Sequence, residues 1–181
     1  MLFVPASKPA LMSKAAATDA DAVCFDLEDS VVASEKEASR SHVVRGLQEL
    51  DFGARVRMLR INALDTPYAY RDLVDVVEEA GDRIDVVMLP KAGGAGDIAF
   101  VDRLLTQIEA HRGYTHRIGI EAQIESAQGF LYVREIAAAS ARLEGLVFGP
   151  GDFAASMGMP LAHIGEFDRH DESYPGHRWH A

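Results

Sequence analysis

Cysteine is nearly absent from these 181 residues, Cys24 being the only one. No disulfide can therefore form within the chain, and the setting of Cys24 in the apolar run AVCFDL suits a small buried residue. Long apolar stretches are also missing, and none approaches the ~18 residues that suggest a membrane span. The opening MLFVPASKPALMSK has too short an apolar part, and no basic front, for a secretion signal. A cytoplasmic protein is expected. Positive charge is scarce: 18 Lys and Arg stand against 28 Asp and Glu, a formal net charge of −10. Such a field repels phosphate, which argues against a general nucleic-acid or membrane-surface binder. An anionic small molecule would need a local cationic pocket. The seven histidines show no HExxH or other tight ligand spacing, and no serine completes a nucleophile–His–acid triad. Neither an internal repeat nor a low-complexity linker divides the chain.

What is present is an ordinary globular composition, 48% hydrophobic and 25% charged, with short β-like runs alternating with longer helical ones. Strands are expected at Leu2–Pro5, Ala22–Leu27, Arg55–Ile61, Val86–Leu89, Arg117–Glu125 and Leu143–Phe148. Helices are expected at Pro9–Ala17 with Ser7 as cap, from Ser34 through a Ser34-x-x-Glu37 capping box, from Asp65-Thr66-Pro67 to Gly81, and over Asp97–His111 and Ala127–Ala139. Strands apolar on both faces, each followed by a helix, imply a parallel sheet covered by helices. The fold class is α/β, a (β/α)8 TIM barrel, with an open doubly wound sheet as the competing architecture. A complete barrel takes roughly 250 residues, and about six βα units are visible. The chain reads as a single incomplete barrel domain over 1–181 that lacks its last strands, with 161–181 a polar tail.

Polar residues gather where the strands end: Asp26, Glu28 and Asp29, then Arg60 and Asn62, Lys91, Glu125 and Asp152. In a barrel those ends form the active-site face. Glu125 (in QIESAQG) and Asp152 (in FGPGDF) weigh most. Two hard carboxylates, with substrate oxygens and water, suit Mg2+, which keeps several ligands the protein does not supply. Such an ion binds an α-keto acid and stabilises charge on its carbonyl. The plainer alternative is a pair of solvated acids at helix starts. Arg60 would hold a carboxylate or enolate oxygen, or else serve as a structural partner for Asp26, Glu28 or Asp29. Glu28 and Asp29 would hydrogen-bond metal-bound water, and Asp26 reads as structural. Gly149 and Gly151 allow a close approach to a ligand, and the amides of Gly151, Asp152 and Phe153 would receive a carboxylate. The Gly93-Gly94-Ala95-Gly96 stretch matches no phosphate-loop spacing and reads as a plain loop. Lys8, Lys14 and Lys91 are cations near the barrel loops, suited to a phosphorylated ligand or simply solvated.

The segments LFVPASKPALMSKA, DAVCFDLEDSV, RINALDTPYAYRDLVDVVEEAGDRIDVVMLPKAGG, IEAQIESAQG and FGPGDFAASMGM together resemble the citrate lyase β-subunit / HpcH–HpaI aldolase superfamily, and within it the L-malyl-CoA/β-methylmalyl-CoA lyases. The resemblance runs nearly unbroken through Pro160. It implies a TIM barrel, a homotrimer or hexamer, and Mg2+ (Mn2+ as the alternative ion) between Glu125 and Asp152. It further implies that Arg60 stabilises a thioester enolate, that Glu28 and Asp29 lie near the metal water, and that the turn around Asp152 holds the keto-acid carboxylate. Lys8 and Lys14 fall where the coenzyme A phosphates would bind. Two departures stand out. Pro5-Ala6-Ser7-Lys8 replaces the usual PG-S/N-R, keeping a charge but losing a planar fork. The DGP strand, the GKxxIHP segment and an acidic catalytic residue often supplied by a neighbouring subunit are absent from this sequence.

The expected activity is cleavage of a 3-hydroxyacyl-CoA such as malyl-CoA into acetyl-CoA and glyoxylate, or the reverse condensation. The partners are then a coenzyme A thioester and an α-keto acid, with no nucleic acid and no membrane. One alternative is a citrate-lyase-type β subunit working on an acyl-carrier-protein thioester. Another is a non-catalytic partial barrel whose strand edges serve an interaction.

Overall fold

The computed structural model describes residues 1–159; the polar tail 161–181, with His177 and His180, lies outside the described residues. Six strands form one parallel sheet: β1 (Leu2–Pro5), β2 (Ala22–Asp26), β3 (Val56–Arg60), β4 (Val86–Leu89), β5 (Gly119–Ile124) and β6 (Leu143–Phe148). Their order in the sheet is their order in the chain. A doubly wound sheet reverses its strand order partway across. This one does not, and strictly sequential parallel βα units are the wall of a TIM barrel.

Between the strands run α1 (Pro9–Ala16), α2 (Lys36–Glu49), a helical segment made of α3 (Ala69–Arg71), a π-helical stretch (Asp72–Val77) and α4 (Glu78–Ala80), then α5 (Ala95–Arg112), α6 (Ala127–Leu131), α7 (Val133–Ala137) and α8 (Pro150–Ser156). Alternation along the strands sends Val23, Phe25, Leu59, Val87, Leu89 and Ile120 into the main core, which the helices cover. Cys24, Met58, Val86 and Met88 form a separate small cluster on the opposite face. Cys24 is wholly buried, and burial above all, with Asp26 nearby, pushes its thiol far up. It is a core residue, as its apolar run implied.

The helix starts differ from the sequence expectation. Lys8, not Ser7, takes the cap position of α1, with Pro9 in the first turn and no side-chain cap bond. No Ser34–Glu37 box forms. A short 3₁₀ turn over Ala33–Glu35 intervenes, and the Lys36 ammonium turns inward to donate to the Leu27 and Glu28 carbonyls at 2.8 and 2.9 Å. Pro67 lies before the helix, which starts at Ala69. The π-helical stretch sets buried Asp72 against the Arg40 Nε donor (2.8 Å) and the Asn62 backbone N–H (2.8 Å). Hydrophobic periodicity does not reveal such a widened turn. The expected Ala127–Ala139 helix breaks at Tyr132. Strand β6 is not apolar-buried on both faces: burial alternates along it, and Leu146 and Phe148 are 42% and 44% exposed.

At the N-terminal strand ends, Asp85 accepts from the Arg57 backbone N–H (2.7 Å), Nε (2.9 Å) and Nη2 (2.7 Å). Burial works against ionisation of Asp85, but the Arg57 bonds outweigh it and hold the carboxyl below its ordinary value. A depressed native value means that the ion pair stabilises the fold at neutral pH and that this contribution disappears as pH falls through that value. Asp85→Asn should therefore lower the urea midpoint at pH 7 and converge with the wild type on acidification below about pH 4. Urea titrations from pH 7 to 3 read the difference. A gap that stays constant with pH would contradict the assignment.

Candidate functional site

The C-terminal strand ends carry the charged residues. Asp26 closes β2 and Arg60 closes β3, paired directly across the sheet. The Arg60 Nε and Nη2 donate to the two Asp26 oxygens at 2.7 Å each, and both residues are buried. Burial opposes ionisation of Asp26, but Arg60, helped by the Ser30 hydroxyl and the Glu28 amide, holds the carboxyl below its ordinary value. Asp26 is structural, as read from the sequence. It locks the guanidinium and leaves Nη1 facing the mouth, 3.4 Å from Glu28 Oε2 and 3.4 Å from Gln123 Oε1. The Phe3 ring lies against the same guanidinium, 5.0 Å from centroid to Cζ.

Residues Glu121, Gln123 and Glu125 alternate along β5, so all three face the same side. Glu125, just past the strand, is 3% exposed. Its Oε1 accepts from the Lys91 backbone N–H at 2.9 Å and its Oε2 from Gln123 Nε2 at 2.7 Å. Burial pushes its carboxyl up to about 7; the Lys91 N–H bond opposes the shift, and the nearby charges of Asp152 and Glu28 add to it. Gly149, just past β6, passes directly over this carboxylate. A Cβ there would lie 2.5 Å from Glu125 Oε2 and 2.7 Å from Glu125 Cβ. The close approach expected of Gly149 is thus to Glu125 itself. Gly149→Ala should cost about 1–3 kcal/mol of stability through overpacking and displace Glu125, read by thermal unfolding and a crystal structure. An unchanged Tm with Glu125 in place would refute the contact.

Lys91 ties the mouth together. Besides its amide bond to Glu125, its ammonium lies 2.5 Å from Glu28 Oε1, 3.2 Å from Asp152 Oδ2 and 3.4 Å from Asp29 Oδ1. Asp29, Lys91, Glu125 and Asp152 line one open cavity of about 540 Å³, with Ser126 and Ser156 on its wall. A second of about 440 Å³ shares Asp29 and Lys91 and extends past Glu28, Lys36 and Asn62. Another surface groove, about 590 Å³ between α2 and residues 74–79, gathers Arg40, Arg45, Glu49 and Asp75. It lies on the helical layer, away from the strand ends, and no site residue expected from the sequence enters it.

The structure brings Glu28, Asp29, Glu125 and Asp152 together around Lys91, with Arg60 behind Glu28. Asp152 sits in the first turn of α8, as do Gly151 and Phe153. N–H groups there lack intrahelical partners in general, but the Phe153 amide already donates to Gly149 O at 3.1 Å. The Phe153 ring packs on Phe148 and Phe130, with centroids 5.1 and 5.5 Å apart. Of the three amides expected to receive a carboxylate, those of Gly151 and Asp152 keep the better case. Lys8 and Lys14 are exposed on α1 and its approach and line neither mouth cavity. The Gly93 and Gly94 amides are spent on Asp97 Oδ2, at 2.7 and 3.2 Å, so that stretch is a helix start and no phosphate loop. Sequence reasoning assigned no role to Gln123 or Lys36, and it placed Lys91 at a strand end as a cation for a phosphorylated ligand or for solvent, not as a partner of the carboxylates. The alternation of β5 marks Gln123 and the end of β4 marks Lys91; nothing local marks Lys36.

The donor set suits a hard divalent ion. Among the described residues no three His, Cys, Asp or Glu side chains form a ready protein cage. Two carboxylates are what Mg2+ accepts when substrate and water supply the rest. Glu28 Oε2 is buried and accepts no hydrogen bond, with the Arg60 guanidinium 3.4 Å away, and the Lys91 ammonium sits among three carboxylates, so acidic groups outnumber the cations at the mouth.

The family model for HpcH/HpaI aldolase/citrate lyase matches residues 1–166. The chain belongs to this family. An L-malyl-CoA/beta-methylmalyl-CoA lyase of Cereibacter sphaeroides is 50% identical over 164 residues, covering 91% of this chain and 52% of that protein. The citrate lyase subunit beta of Leuconostoc mesenteroides subsp. cremoris is 38% identical over 161 residues, 87% of this chain and 51% of that protein. Among solved structures, the CitE protein of Mycobacterium tuberculosis in complex with magnesium and acetoacetate superposes with a TM-score of 0.68 at 31% identity, over 90% of this chain and 58% of that one. The chain spans about half the length of the curated relatives it matches. No helix among the described residues is long and apolar enough to cross a membrane.

Proposed function

We propose that this chain carries the metal-binding part of a Mg2+-dependent carbon–carbon lyase that cleaves a 3-hydroxyacyl-CoA such as malyl-CoA into acetyl-CoA and glyoxylate, or runs the reverse condensation. The observation that carries the reading is the convergence of Glu125 and Asp152 on one cavity, bridged through Lys91, in a chain half identical to a malyl-CoA lyase. Glu125 and Asp152 would hold Mg2+, which supplies a Lewis acid for the α-keto-acid oxygens; Mn2+ is the alternative ion.

The chain's own residues do the rest of the positioning. Cleavage removes the hydroxyl proton of the substrate, breaks the bond between carbinol carbon and α-carbon, and leaves the electron pair as a thioester enolate. The enolate then takes a proton to become acetyl-CoA. Arg60, held by Asp26, presents Nη1 to the developing enolate oxygen. Glu28 and Asp29 accept from water at the ion, and the Gly151 and Asp152 amides receive the keto-acid carboxylate. Family resemblance puts the proton-transferring acid in the part of the relatives beyond the matched segment, often on a neighbouring subunit of a trimer or hexamer. Lys8 and Lys14 remain the proposed contacts for coenzyme A phosphates.

Malyl-CoA cleavage followed by glyoxylate release tests the reading. Turnover with free coenzyme A thioester supports it over the citrate-lyase-type alternative, which requires an acyl-carrier-protein thioester. Full activity of a Glu125→Ala, Asp152→Ala double variant would dismiss it.

A further inference from the structure

Lys91 is placed with more care than a solvated lysine needs. It is the only non-glycine with positive φ (50°) among the described residues, a conformation that costs a side chain about 1 kcal/mol or more and persists where surroundings impose it. The backbone so held sends its amide to Glu125 Oε1 and its side chain to Glu28, Asp29 and Asp152. One residue thereby touches both carboxylates of the proposed metal pair, one through its backbone and the other through its charge. Arg60 cannot perform this task, because its fork is committed to Asp26.

The charges explain why a tethered cation is there. Glu28, Asp29, Glu125 and Asp152 crowd one mouth, and Arg60 spends most of its charge on Asp26. Without Lys91 three carboxylates would face one another with little to offset their repulsion. The ammonium is a compact charge on a flexible four-carbon stem, its side chain 35% exposed, so it can withdraw without disturbing the sheet. Of its three carboxylate contacts only the one to buried Glu28 is short, at 2.5 Å; those to the more open Asp152 and Asp29 are 3.2 and 3.4 Å. The other Glu28 oxygen lies 3.4 Å from the Arg60 guanidinium, so this carboxylate stays paired if the ammonium moves.

We propose that Lys91 is an internal placeholder cation: it neutralises the acidic mouth before metal binds and releases Asp152 when a divalent ion arrives, so that it competes with the ion for the site. The inference rests on the metal reading of Glu125 and Asp152. It adds that this chain sets its own metal affinity through a residue that is not a ligand, keeping the mouth folded when metal is scarce.

The test is Mn2+ binding to the full chain by calorimetry and by electron paramagnetic resonance, with thermal unfolding of each variant with and without metal. Lys91→Met should bind Mn2+ at least tenfold more tightly than wild type, and its Tm should be lower without metal and recover with it. Lys91→Arg, which keeps the charge, should bind within about threefold of wild type. A purely structural lysine would lower Tm under both conditions and leave affinity unchanged or weaker, and that result overturns the proposal. Should Lys91→Met fail to fold, the wild type still decides. The chain has four lysines, so its ¹⁵Nζ-lysine spectrum is sparse, and the Lys91 signal, assigned by its loss in Lys91→Gln, should move on saturation with Mg2+. An unmoved signal overturns the proposal as well. Glu125→Gln and Asp152→Asn should each lose Mn2+ binding. Wild-type affinity in both would show instead that the metal reading is wrong, and the placeholder would fall with it.

Discussion

Glu125→Gln and Asp152→Asn should each cut metal-dependent cleavage by two to three orders of magnitude or more, the range seen when a group that stabilises developing charge is removed. The two should differ in their effect on stability. Glu125 is buried and accepts from the Lys91 amide and Gln123. Its amide counterpart relieves repulsion from Asp152 and Glu28 but puts an NH2 where one of these two donors now finds an oxygen, so Glu125→Gln should lose about 1–3 kcal/mol of stability. Asp152 is more open and anchors one arm of Lys91; its loss should cost little, as exposed ion pairs do. Initial rates across a Mg2+ titration, with urea midpoints alongside, separate the two effects. Wild-type rates at saturating Mg2+ in either variant would remove that carboxylate from the mechanism.

Replacing Arg60 should produce the largest loss of stability at the site. Arg60→Met strands the Asp26 carboxylate in the interior, where breaking a buried pair costs about 3–5 kcal/mol. Arg60→Lys keeps the charge but not two parallel hydrogen bonds at 2.7 Å; a loss of about 1–3 kcal/mol follows. It also loses the Nη1 donor, so kcat should fall even at temperatures where the variant is folded. The pair is coupled: Asp26→Asn with Arg60→Met should be more stable than the sum of the single losses by about 1–3 kcal/mol. Chemical denaturation of the four proteins completes the cycle. Strict additivity would show that the two side chains act independently.

The βα alternation was legible because strands between sheet and helices must be apolar, and DLED, RIN, IES and GPGDF fall at their ends, where a parallel barrel opens. Helix starts were less legible. Ser7 and Ser34 have the right chemistry for caps, yet Pro9 and the inward turn of Lys36 settled those starts. The π-helical stretch has no periodic signature, and Arg40 and Asn62, the partners of its buried Asp72, lie ten to some thirty residues away.

By itself the sequence determined the class of the fold, the strand ends that carry charge and the family to which those motifs belong. All of these depend on local periodicity and on short segments read in order. Only the tertiary structure decided that the strands run in unbroken sequential order, that Asp26 rather than a ligand holds the Arg60 fork, that Gly149 yields space to Glu125, and that Lys91 sits among three carboxylates. Those facts depend on groups brought within 2.5–3.4 Å from positions as far as 63 residues apart, and Coulomb and hydrogen-bond energies act on that distance, not on separation along the chain.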